Sequence, residues 1–139
     1  MSANTRLDTV FRLRETEEDR ARQALADAQR SVAAAKDQLS AAAAQAAADH
    51  RKLASAAHWS LVENAHARAL QDARQAEHAV QKASDGLTQS RARYLGAHTR
   101  TEALRKAIET RRAEALREQS QAERKQMDEI AMLLYQNVA

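Results

Sequence analysis

The sequence contains no proline and no cysteine, only two glycines (Gly86 and Gly96), and four aromatic side chains: Phe11, Trp59, Tyr94 and Tyr135. Each shortage excludes something. Without cysteine there is no disulfide framework, no thiolate metal site and no cysteine nucleophile. Without turn residues and large side chains, a chain of 139 residues cannot fold back repeatedly around a filled centre, which rules out a doubly wound α/β domain or a β-sandwich. Two glycines ten residues apart supply no phosphate-cradling loop, and no Gly-x-Ser-x-Gly elbow is present. The longest low-charge stretch, Ser40–Asp49, is alanine and too short and weakly apolar to span a bilayer. The first twenty residues carry charges throughout and lack a secretory h-region, so the expectation is a soluble, cytoplasmic protein.

What is present is alanine, 34 residues, together with charged residues at 29% and leucine at intervals. That is the composition of long helices and coiled coils. Twenty-two basic against nineteen acidic residues leave a net charge of +3, a balance suited to an ion-paired helical surface rather than a polyelectrolyte.

Two heptad tracks organise the chain. In the first half, Phe11, Glu18, Leu25, Val32, Leu39, Ala46 and Leu53 recur every seven residues, accompanied by Leu7, Arg14, Ala21, Ala28, Ala35, Ala42, Asp49 and Ala56. Arg14, Glu18 and Asp49 interrupt this strip, making it patchy at both ends. In the second half, Val80, Leu87, Tyr94, Thr101, Ile108 and Ala115 run beside Ala76, Ala83, Ser90, Ala97 and Leu104. The pattern then fades into charged residues, and a short apolar cluster returns at Met127, Ile130, Ala131, Leu133 and Leu134, with i, i+3, i+4, i+7 spacing.

The preferred break lies around Ala54–Ser60, where Ser60-Leu61-Val62-Glu63 is a capping-box pattern. Ser84-Asp85-Gly86 is the alternative, although the seven-residue phase runs straight across Gly86. The first break predicts an all-α fold: one long antiparallel two-helix coiled-coil hairpin, with arm one over about 4–55, a bend at about 54–60 and arm two over about 60–136. Folding back near residue 58 sets the N-terminus opposite Ile108–Ala115, where the second seam fades, and leaves a C-terminal single-helix overhang. Alanine at half the seam positions buries little area per residue, so such a hairpin is marginally stable alone.

The candidate sites are few. Histidines 50, 58, 66, 78 and 98 include no i, i+4 pair, so they are read as solvated helix surface; no metal, cofactor or catalytic residue is expected. Arg91–Arg112 holds seven basic and two acidic residues, but the charges are not confined to one stripe and interleaved aromatics are missing apart from Tyr94. A solvated face is therefore preferred to nucleic-acid binding. The C-terminal cluster lies beyond the paired part of the hairpin. It is expected to dock into another protein's groove or ring rather than form a self-association seam.

Arg124-Lys125-Gln126-Met127-Asp128-Glu129-Ile130-Ala131 resembles the C-terminal signature of the FliJ family, the flagellar type III export stalk and chaperone-escort proteins. Chain length, the apolar opening at Leu7, Val10, Phe11 and Leu13, and Trp59 just after the bend fit the same resemblance; the YscO-type injectisome stalk is a close alternative with the same layout. The resemblance implies a non-enzymatic stalk, similar to the γ stalk of rotary ATPases. Its partners would be the hexameric export ATPase, the cytoplasmic domain of the export gate, and export chaperones. It would be monomeric in isolation, cytoplasmic, and peripheral at the inner-membrane export apparatus. Carried onto this chain, the ring-binding residues are Leu7, Phe11, Met127, Asp128, Glu129, Ile130 and Leu134. The gate contact falls near the bend, where this chain offers Ala46, His50, Trp59 and Ala65. A generic self-associating coiled-coil scaffold is the alternative from another class, and a basic nucleic-acid-binding helical protein a more distant one.

Overall fold

A computed structural model describes residues 3–48 and 58–138, with side chains from residue 6 onward. Two helices account for nearly all of them: α1, Ala3–Ala47, and α2, Trp59–Val138. At about 1.5 Å per residue these are roughly 68 and 120 Å long. No strand occurs among the described residues. The chain is all-α, and its two long helices pack against each other as an antiparallel pair, the architecture expected from the two heptad tracks.

Most of the expected bend falls within residues 49–57, outside the described residues, as do Asp49, His50, Leu53 and Ala56. The helix boundaries differ from the anticipated capping box. α2 starts at Trp59, so Ser60 sits in the first turn and not at the cap. Gly86 does not break α2, because the large residues at Val80, Leu87 and Tyr94 hold the helix in phase across it. A Cβ at Gly86 would meet nothing within 4 Å. Gly86→Ala is therefore expected to stabilise the protein by about 0.5–1 kcal/mol, read as a rise in thermal midpoint by circular dichroism.

The molecule divides into two compact units: Met1–Glu15 with His98–Ala139, and Thr16–Ala97. In the Thr16–Ala97 unit, the α1 side of the seam is Glu18, Ala21, Leu25, Ala28, Val32, Ala35, Leu39, Ala42 and Ala46, every one buried or half-buried. The α2 side is equally regular, from Val62, His66, Ala69, Ala73 and Ala76 through Val80, Ala83, Leu87 and Ser90 to Tyr94 and Ala97. Two sequence readings change here. Glu18 does not interrupt the strip but lies buried on it, 8% exposed, with its Oε1 accepting from Arg22 Nη2 at 3.2 Å. His66 is not on the solvated surface; it takes the seam position between Val62 and Ala69.

In the other unit, Leu7, Phe11 and Arg14 of α1 face Thr101, Leu104 and Ile108 of α2. Thr101 is 1% exposed and its Oγ1 donates to the Arg14 carbonyl at 3.3 Å. The Arg105 guanidinium stands 5.8 Å from the centre of the Phe11 ring, while it donates to Glu102 at 2.6 Å. Arg112 Nη2 reaches Asp8 Oδ1 at 3.5 Å. This pair is well exposed, so its net contribution is at most about 1 kcal/mol. After Ile108 every residue to Val138 is exposed, including Ala115, the last position of the predicted track.

Few side chains are withdrawn from water. Among the described residues the buried apolar side chains are Val32, Ala35, Ala69 and Ile108 and the buried polar ones Glu18 and Thr101, so four of these six are alanine or polar. The accessible surface is 11492 Å², against about 7,200 Å² for a compact globular protein of this mass. With so little apolar area covered, stability internal to the chain is small, and surfaces left bare are available to partners.

Candidate functional site

The Met1–Glu15/His98–Ala139 unit carries the most exposed apolar surface. From Arg117 to Gln126 the helix is polar except for Ala122, and it remains helical because Arg, Glu, Gln and Lys all have good helix propensity. Beyond it, Met127 is 68% exposed, Ile130 53% and Leu134 61%, with Asp128 and Glu129 also exposed between them. These five of the seven expected ring-binding residues therefore lie together on one free helical segment. Leu7 and Phe11 do not join them. Both are half-buried on the α1 seam, Leu7 beside Ile108, Ala115 and Leu116 in a shallow groove and Phe11 beneath Arg105.

The structure adds residues that the periodicity missed. Met132, Tyr135 and Val138 are exposed too, so Ile130-Ala131-Met132-Leu133-Leu134-Tyr135 is apolar on every side of the helix and not only along one stripe. The signal was present in the sequence as six consecutive apolar residues, but a search for i, i+3, i+4 spacing selects one face and discards the others. A helix apolar all round requires burial all round. That demand suits a surrounding cavity better than a flat surface.

The Thr16–Ala97 unit holds the candidates near the bend. Trp59 is the first residue of α2 and 45% exposed; Ala46 is half-buried on the seam; Ala65 is exposed. Ala65 lines an open groove with Leu61, Asn64, Arg68 and Asp72 of α2 and Gln45 of α1, and Leu61 is 65% exposed. Ala46 and Trp59 do not line it. His50 lies outside the described residues.

Among the described residues no group of three or more His, Asp or Glu side chains is placed to hold a metal ion. No described helix is long and apolar enough to cross a membrane. The basic residues between Arg91 and Arg112 are spread around the helix, and Arg105 and Arg112 are engaged with Glu102 and Asp8.

Two long paired helices with an alanine-rich seam and a bare apolar helix end define a two-helix coiled-coil protein. The family model of the flagellar FliJ protein matches residues 2–139, and the chain belongs to that family. No curated protein and no solved structure matches it. Family membership makes it a protein of flagellar protein export, in which FliJ proteins are non-enzymatic components.

Proposed function

We propose that this protein is the central stalk of the flagellar export apparatus: it binds the hexameric export ATPase, promotes its assembly, and links it to the export gate and to export chaperones. The observation that supports this most is the exposed helix end at Met127–Tyr135, apolar on every side from Ile130 to Tyr135 and preceded by a charged stretch. In this reading Met127, Ile130 and Leu134 enter the ATPase ring, with Asp128 and Glu129 meeting polar groups at its mouth. Leu7 and Phe11 support the same end by holding α1 against α2. The gate contact uses Ala46, His50, Trp59 and Ala65, the last of these within the open groove it lines with Leu61 and Arg68. The protein acts in the cytoplasm, peripheral to the inner membrane through its partners, and needs no cofactor.

Six large apolar side chains at roughly 1.5–3 kcal/mol each give a gross gain sufficient for specific binding after association entropy is subtracted. The test uses purified export ATPase. Added protein is expected to raise both the hexamer fraction and the rate of ATP hydrolysis; an ATPase indifferent to it in both respects removes the proposal. Sedimentation of the protein alone separates the scaffold reading, since a stalk sediments as a monomer and a self-assembling rod as a higher oligomer.

A further inference from the structure

The paired stretch of the Met1–Glu15/His98–Ala139 unit has two unlike flanks. The Asp8–Arg112 and Glu102–Arg105 pairs, and Arg105 over Phe11, all lie on one flank of its seam. Counting heptads from these contacts places Glu15 and Glu109 on that flank as well. All four acidic residues of 6–15 and 98–112 are therefore gathered there, among Arg12, Arg105 and Arg112.

The opposite flank has the reverse character. The same count gives it Arg6, Val10 and Leu13 from α1, and Arg100, Ala103 and Ala107 from α2, with Arg111 where the flank meets the seam. Val10 is 43% exposed and Leu13 57%, and Ala103 and Ala107 are exposed beside them. Arg6, Arg100 and Arg111 are exposed and hold no ion pair with any described residue. No acidic residue of this stretch shares the flank with them. Arg111 also lines the shallow groove that contains Leu7 and Ile108.

We propose that this flank is a docking surface for an amphipathic helix of a partner protein, one with acidic residues eleven positions apart bracketing an apolar stripe. Charge complementarity carries the argument. Three cations without acidic neighbours repel one another and are best neutralised by carboxylates brought from outside. Arg100 and Arg111 stand about 16.5 Å apart along α2, three helical turns, so carboxylates at the same spacing on a second helix meet both. Between them the alanines let a helix approach closely, and Val10 and Leu13 are the side chains it covers. A nucleic acid would meet the arginines but leave Val10 and Leu13 in water, so a helix fits better. The surface is separate from the apolar end at Met127–Tyr135 and does not rest on what that end binds.

The probe is a designed, end-capped, fluorescent peptide of about eighteen residues, with two glutamates eleven positions apart and leucines at helical spacing between them. Its counterpart carries lysine in place of both glutamates. Fluorescence anisotropy is measured with the full-length protein at low and at physiological salt. The affinity for the glutamate peptide is expected to exceed that for the lysine peptide by about tenfold or more, by a margin that shrinks as salt rises. Arg100→Glu with Arg111→Glu is expected to reverse the preference at unchanged helicity. Val10→Ser with Leu13→Ser is expected to weaken the glutamate peptide by about tenfold.

Should the double reversal lose helicity, Arg100→Glu alone decides, with an expected loss of about threefold or more in affinity for the glutamate peptide. No preference between the peptides in the parent protein, or a preference that survives reversal in folded protein, overturns the proposal. So does a reversal accompanied by indifference to Val10→Ser and Leu13→Ser, which marks a plain anion-binding face of the kind nucleic acid uses. Ile130→Asp with Leu134→Asp is expected to leave the preference unchanged; its loss there would place the binding at the helix end and overturn the proposal as well.

Discussion

Replacing Ile130 and Leu134 together by aspartate is expected to weaken binding to purified export ATPase by about a hundredfold or more while leaving the helical signal and thermal midpoint nearly unchanged. The two halves of that expectation have separate physical causes. Ile130 and Leu134 are 53% and 61% exposed in the free protein, so charging them removes little that α2 uses for its own folding. The remaining cost is the lower helix propensity of aspartate, about half a kcal/mol per site. In a bound state that encloses the helix, two carboxylates would have to be desolvated without partners, which is far more costly. Titration calorimetry gives the affinity, and circular dichroism the fold. If the thermal midpoint instead falls by many degrees, the apolar end belongs to the protein's own core.

The opposite behaviour is expected at Ile108. It is 7% exposed, the last buried position of the α2 seam, and packs in the unit that also contains Leu7 and Phe11. Ile108→Ala removes buried methylene groups and leaves a cavity, at a cost of about 2–4 kcal/mol. With only four buried apolar side chains among the described residues, that is a large part of the available stability. Urea denaturation should show the loss directly. Leu116→Ala, at a site 67% exposed, should change stability by no more than about 0.5 kcal/mol and serves as the control. Equal effects at the two sites would mean that the seam does not end where the burial pattern ends.

The contrast between these two residues shows how far the sequence could be read. Ile108 and Ile130 have the same chemistry and both sit in periodic apolar patterns. Periodicity located them, yet it does not say whether a partner helix is present. The answer depends on how far α1 extends along α2, and the Asp8–Arg112 contact marks the far end of that pairing. Glu18 and His66 make the same point from the other side. Their polarity argued for solvent, but heptad phase put both on the seam, where Arg22 accompanies Glu18. Phase outranked polarity because a rigid helix cannot rotate one residue outward without rotating its neighbours too. Among the candidate site residues, Met127, Ile130 and Leu134 were legible from their spacing; Met132, Tyr135 and Val138 were not, since their exposure follows from the absence of any neighbour and not from their position in a repeat.

By itself the amino-acid order determined that this protein is two long helices with a seven-residue seam. No proline interrupts them, few side chains are large enough for any other core, and alanine makes helix the lowest-energy local state. The tertiary structure decided which residues the seam covers and which it leaves bare. A seven-residue repeat does not by itself give the alignment of the two helices; the choice is seen in contacts between residues some seventy to a hundred positions apart. The termination of the pairing, and with it the exposed apolar end, follows from that choice.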